Sequence, residues 1–339
     1  PSIEDIFYKI ENYENQTMDW MEDIHDSIDE ISEVTENIKL DLLKSDEVTW
    51  EQQKKIENTF EEINNIANQM EEMKSNIEKI LDKAEENNLF NKDLTDKFEK
   101  LQDMLQNIMS PELLEAIQQM QESLKNADMN KIMESLENYE FNIDKFEEQM
   151  DRFIDMFELA LAEQKLNELS KFIENMINKE SQLIQNIIDD DNLEVLNKKS
   201  SKQENRFDDL KSLLNEASSF TENISQNTSQ EIDNLIKDPL MAETSKNLSN
   251  QTNKINEKNK NESMLSAQLA NNNLKEISNI VNEINEQFNN ENKNKMSKEF
   301  IVLINSLLAM SNQQENIIKE SFGIRSNSPK IRSLNQKQY

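Results

Sequence analysis

Hydrophobic positions in this chain recur at alternating steps of three and four residues, with polar residues between them, through most of residues 1–190. Ile3, Ile6, Ile10, Tyr13, Thr17, Trp20, Ile24, Ile28, Ile31, Thr35, Ile38 and Leu42 form the first row. The spacing is that of a heptad seam held for about six heptads, with an extra four-residue step around Ile24–Ile28 that reads as a stutter. It predicts a long amphipathic helix ending at Ser45-Asp46. Thr49, three residues before Gln52, has the form of a capping box opening a second helix. That helix carries Ile56, Thr59, Ile63, Ile66, Met70, Met73, Ile77, Ile80 and Ala84, and Asn87-Asn88 should end it. Leu94, Phe98, Leu101, Leu105 and Ile108 mark a shorter one. At Ser110-Pro111 a serine able to cap precedes a proline suited to a first helical position, which predicts a corner. The helix beyond it presents Leu114, Ile117, Met120 and Leu124, and Asp128 should cap the next.

The longest row runs Ile132, Leu136, Tyr139, Ile143, Phe146, Met150, Phe153, Phe157 and Ala160, then shifts phase into Leu166, Leu169, Ile173, Met176 and Leu183. A helix from Met129 to about Ile188 would be on the order of 90 Å long at 1.5 Å per residue. Around Phe153–Leu161 apolar residues crowd several faces, so this stretch must touch more than one neighbour. That predicts a bundle rather than a two-stranded rod. Downstream the pattern thins to Phe207, Leu210, Leu213, Ala217, Phe220 and Ile224, then Ile232, Leu235 and Ile236, with a break at Asp238-Pro239. Residues 245–263, rich in Asn, Lys and Ser, are expected to be poorly ordered. Leu274, Ile277, Val281, Ile284 and Phe288 resume a stripe, and Ser297 with Phe300–Met310 suggests a last, most hydrophobic helix. The expected fold is all-α: an elongated helical bundle or coiled coil with several long amphipathic helices. The expected organisation is an acidic helical region over 1–197, a near-neutral helical region over 198–320 and a disordered basic tail over 321–339.

Composition narrows the chemistry. The 339 residues include one glycine, Gly323, one histidine, His25, and no cysteine. So little glycine disfavours β-hairpins and phosphate-cradling loops. Without cysteine there are no disulfides and no thiolate metal sites. The longest apolar run, Phe300–Ile304, is far below the roughly 20 residues that span a bilayer, so no transmembrane segment is expected in this chain. Charge is unevenly spread: residues 1–200 hold 50 acids against 20 bases, and residues 201–339 hold 18 against 17. An acidic front repels nucleic acid and anionic lipid. It suits either plain solvation or a basic partner.

Glu22 and His25 form one E-x-x-H half-site, but a carboxylate-bridged di-metal bundle needs a second, and there is no second histidine. His25 is therefore expected at a solvated rim. Ser-His and Cys-His nucleophiles have almost nothing to draw on. Asp189–Asn192 lacks the glycine and the terminal glutamate of a calcium loop. No catalytic, cofactor-binding or metal-binding residue is expected. What remains is protein interaction, with Met150, Phe153 and Phe157 on the long helix and Phe300, Ile301, Ile304 and Leu307 on the last one as candidates. Methionine and phenylalanine at seam positions are first a core filling and second an adaptable surface for client segments. The last helix lacks the basic polar face of a membrane-surface helix, which favours burial against the bundle or a sister chain. The expected role is a non-catalytic scaffold or tether whose partners are other protein chains or further copies of itself. A holdase-like chaperone and a component of a virion or surface filament are the alternatives.

The stretch from Ser110 to about Met176, carried by Ser110-Pro111-Glu112-Leu113-Leu114, the short helix to Asn126 and Glu163-Gln164-Lys165-Leu166, resembles the coiled-coil region of large bacterial membrane proteins. These form a domain-of-unknown-function family of Bacteroidetes-like lineages. The resemblance implies transmembrane helices N-terminal to this region, a place in the bacterial cell envelope and no assigned reaction. Cytoplasmic residence is the alternative.

Overall fold

The computed structural model describes residues 3–44, 49–108, 111–125, 129–189 and 192–321, the last part beyond Lys293 as backbone only. Among the described residues every regular element is an α-helix: α1 (Ile3–Leu42), α2 (Trp50–Glu86), α3 (Lys92–Ile108), α4 (Pro111–Lys125), α5 (Met129–Ile188), α6 (Leu193–Glu222), α7 (Gln226–Lys237), α8 (Pro239–Asn256) and α9 (Lys260–Ser321). The fold is an all-α helical bundle. Ser45-Asp46, Ser110, Asp128 and the tail from Gly323 lie outside the described residues.

Local chemistry sets the helix ends. The Thr49 N–H donates to Gln52 Oε1 at 2.8 Å and the Gln52 N–H to Thr49 Oγ1 at 3.3 Å, the reciprocal capping box that opens α2. Beyond α2, Asn88 adopts φ 51°, in the left-handed region that asparagine tolerates best after glycine. Pro111 is the first residue of α4, where its missing N–H costs nothing. Asn192 accepts from the Glu194 N–H at 2.9 Å to cap α6. Asp238, extended at ψ 137°, ends α7 and caps α8, with Pro239 at the first position.

The chain forms two compact units, each drawn from separate stretches: unit 1 from Pro1–Glu11, Leu81–Phe98 and Phe157–Lys293, and unit 2 from Asn12–Ile80, Glu99–Met156 and Asn294–Tyr339. In unit 2 the α1 seam is buried through Ile24, Ile28, Ile31, Ile38 and Leu42, and every expected α2 position from Ile56 to Ile80 is buried with it. A fully buried isoleucine stabilises the fold by roughly 1.5–3 kcal/mol. Thr17 and Thr35 enter the seam because their hydroxyls donate back to the Tyr13 and Ile31 carbonyls, at 2.8 and 2.7 Å. The buried face departs from the expected seams at three places, the first being Glu14 in place of Tyr13. Met21, not Trp20, fills its step in the core, and Trp20 stays at the rim. On α4 the inward face is Leu113, Ala116, Met120 and Ser123, one residue off the expected stripe, leaving Leu114 exposed. Ser123 and Ser135 share a hydrogen bond of 2.9 Å between α4 and α5.

In unit 1, α5 is buried on all sides from Leu159 to Leu166. Within the expected stretch Phe153–Leu161, Asp155 and Glu158 remain exposed, and all-round burial begins at Leu159 and continues through Glu163, Gln164 and Lys165. Phe98 of α3 meets Phe157 edge-on at 6.3 Å. Helix α6 packs on α7 and α8. Residues 245–256, expected to be poorly ordered, are instead helical and packed within α8. The reason is that polar side chains supply part of the buried face: Thr244, Asn247 and Gln251 are buried beside Leu248 and Ile255, and Thr252 shares a 2.8 Å hydrogen bond with Ser200 of α6. Nor does a separate helix begin at Ser297, because α9 runs unbroken from Lys260 to Ser321. The asparagine-rich stretch before it contains no glycine or proline, and Asn292 Nδ2 donates to the Phe288 carbonyl of the same helix at 3.0 Å.

Candidate functional site

Met150, Phe153 and Phe157, the first three interaction candidates, are fully buried. Met150 and Phe153 fill unit 2, whereas Phe157 belongs to unit 1. In this conformation they are interior packing and offer no surface to a client. Phe300, Ile301, Ile304 and Leu307 lie on α9, with side chains outside the described residues. His25 is half-exposed, as its rim placement anticipates, with Nδ1 3.8 Å from Asp29 and Nε2 3.6 Å from Asp151 of α5.

Around His25 the acidic front of unit 2 becomes crowded. Glu147 has its carboxyl held above the usual carboxylate range, first by partial burial and then by Asp29, Asp151 and Asp144, with His25 opposing. Glu62 of α2 is raised likewise by burial and by Glu30 of α1. Like charges thus face one another between α1 and α2 and around His25, although most of the acids of residues 1–200 point to water.

Unit 1 contains what the pattern of apolar residues could not display: charged and amide groups inside the bundle. Lys97 of α3 bridges Asp93, at 2.9 Å, and the buried Glu163 of α5. Burial raises the Glu163 carboxyl, and the Lys97 ammonium only partly counters it. Lys165 lies 2.9 Å from Glu216 of α6, with its ammonium over the Phe220 ring. Arg206 of α6 places Nε 2.9 Å from Glu4 of α1, donates from Nη1 to Asn175 at 2.9 Å and stacks 4.9 Å from the Phe172 ring. Glu180 of α5 is completely buried and has amides as its neighbours. Its carboxyl is pushed up to about 7 by burial, with Gln203 and Gln251 opposing. Breaking a buried pair strands a charge and costs roughly 3–5 kcal/mol, so these contacts fix which helix faces meet. The arrangement orders helices.

One signal for Glu180 was available in the sequence. The α5 seam steps from Met176 to Leu183, and the position that completes the three-four spacing is Glu180.

Among the described residues, no helix is long and apolar enough to cross a membrane. Comparison with protein-family models, curated proteins and solved structures returns no match.

Proposed function

We propose that this chain is a non-catalytic scaffold or tether, a bundle with coiled-coil character that holds other protein chains, or further copies of itself, in place. The observation that carries the reading is the burial of the apolar seams, including Met150, Phe153 and Phe157, inside the chain itself. A holdase must present such residues to unfolded clients; a scaffold seals them and keeps a polar outer face. The charge of residues 1–200 supports a basic partner, since crowded carboxylates such as Glu147 gain by neutralisation. The resemblance of Ser110 to Met176 supports a place within a larger bacterial envelope assembly. The scarcity of histidine and the lack of cysteine support a role without catalysis.

The experiment is an aggregation assay in which the native chain is mixed with an unfolding client protein at near-stoichiometric ratio. A scaffold leaves the client's aggregation unchanged. Suppression that disappears in a Met150→Ser, Phe153→Ser variant would replace this reading with a chaperone.

A further inference from the structure

Helices α1 and α2 run antiparallel within unit 2. Asn76 Nδ2 of α2 donates to the Tyr13 carbonyl at 3.4 Å and to Gln16 Oε1 at 3.3 Å, near the start of α1, while Glu62 feels the charge of Glu30 further along it. Leu40, Leu43 and Trp50 therefore stand at one end of this hairpin, on either side of its turn. Leu42 and Gln52 face the core there, and these three face out. Among the described residues Trp50 and Leu43 are the most exposed large hydrophobic side chains, at 74% and 68%, and Leu40 is half exposed. A single exposed leucine needs no explanation. Three apolar side chains around one turn, one of them tryptophan, mark a contact surface.

The charge at this end differs from that of the region around it. Residues 1–200 hold 50 acids against 20 bases, but residues 39–55 hold four of each, the bases being Lys39, Lys44, Lys54 and Lys55. Lys44 Nζ lies 4.0 Å from Asp41, and Lys54 Nζ lies 5.4 Å from the centre of the Trp50 ring. This balance decides among partners. A basic protein is drawn to the acidic stretches on either side, and anionic lipid finds no excess of bases to attract it. Two copies of the chain, each with a net charge of −31, repel one another, and a neutral end is where they can meet without adding to that repulsion. Two-fold symmetry suits it as well, because a contact of this end with itself brings the lysines of each copy to the acids of the other.

We propose that the α1–α2 end is a self-association surface, at which Leu40, Leu43 and Trp50 of one chain pack on the same residues of a second copy about a two-fold axis. The proposal rests on the scaffold reading, in which further copies of the chain are among the partners, and it says which surface joins them. The contact is confined to one end of a hairpin, so the dimer is weak and reversible.

The test is sedimentation equilibrium of the full chain at physiological salt, from micromolar to millimolar concentration. The native chain is expected to shift reversibly from monomer to dimer. The double variant Leu43→Ser, Trp50→Ser, altered only at exposed positions, should weaken the dimer by at least about tenfold, with an unchanged melting temperature in dilute solution. Leu265→Ser, Leu269→Ser, which alters two exposed leucines of α9, should dimerise like the native chain. A native chain that stays monomeric throughout, a dimer equally stable in Leu43→Ser, Trp50→Ser, or equal weakening in both double variants would overturn the proposal. So would capture of the native chain, but not of the first variant, by phosphatidylcholine vesicles, which would give the surface to a membrane. None of these outcomes touches the client-aggregation assay, which alone decides between scaffold and chaperone.

Discussion

The side-chain amide of Gln203 donates to Glu180 Oε2 at 3.1 Å while also donating to the Met176 carbonyl at 2.8 Å. One neutral amide therefore spans a turn of α5 and holds a carboxyl that has no water contact. Proton uptake is the simplest relief for that carboxyl, and its value of about 7 against an ordinary 4.5 expresses this.

The consequence is a pH-dependent stability whose sign is fixed. Between pH 4.5 and about 7 the folded chain binds this proton more tightly than the unfolded chain does. Glu180 thus contributes fully below pH 4.5, and its contribution falls as the pH rises towards 7. Glu180→Gln removes the ionisation and keeps an acceptor for Gln203. Above pH 7 the variant should be more stable by about 1–3 kcal/mol, the upper figure being the full shift at 1.36 kcal/mol per unit. Urea midpoints of both proteins from pH 4 to 8 measure the difference. A difference that does not change with pH would mean the carboxyl is hydrated.

The α2 capping box gives a second expectation. Thr49→Ala removes the acceptor for the Gln52 N–H and should cost about 1 kcal/mol, whereas Thr49→Ser should restore most of it. Denaturant melts of the two variants decide it; equal losses would assign the effect to the threonine methyl.

Pro111 opens α4, so Pro111→Ala should change stability by no more than about 1 kcal/mol, mainly through the unfolded chain. A proline inside a continuous helix would behave otherwise, and its removal would stabilise by roughly 3 kcal/mol. A large rise in melting temperature would contradict the helix start.

The carboxylates crowded around Glu147 and Glu62 make stability depend on salt. The Debye length is about 8 Å at physiological ionic strength and about 30 Å at 0.01 M. The melting temperature of the full chain should therefore rise as salt is added from a low starting point. Glu147→Gln should raise it at low salt and have little effect at high salt. Equal effects at both ends of the series would remove the electrostatic reason for a basic partner.

Much of this bundle was legible because isoleucine is the commonest seam residue in α1 and α2. Ile24, Ile28, Ile31, Ile56, Ile63 and Ile77 are all buried, as their spacing requires. Legibility failed where polar or small residues face inward. Glu180 completes the α5 seam, Gln251 and Thr244 complete the α8 face, and Ala116 with Ser123 turns α4 by one position. Apart from Ala116 these residues are polar in a list of letters, and all of them are buried. The meeting of Ile187 with Ile255 was illegible for a different reason: one core cluster joins them from distant parts of the chain, and no periodicity within one helix reports such a meeting. The two units were hidden likewise, since each takes separate stretches of chain, whereas charge is a property of contiguous sequence.

The scaffold reading rests on seams that stay closed, and native-state hydrogen exchange of the α5 amides from Met150 to Leu161 measures that directly. These amides should exchange as slowly as the most protected in the chain, through global unfolding alone. Exchange there through low-energy local opening, with the rest of α5 still protected, would show that Met150, Phe153 and Phe157 are presented to solvent and would contradict the scaffold.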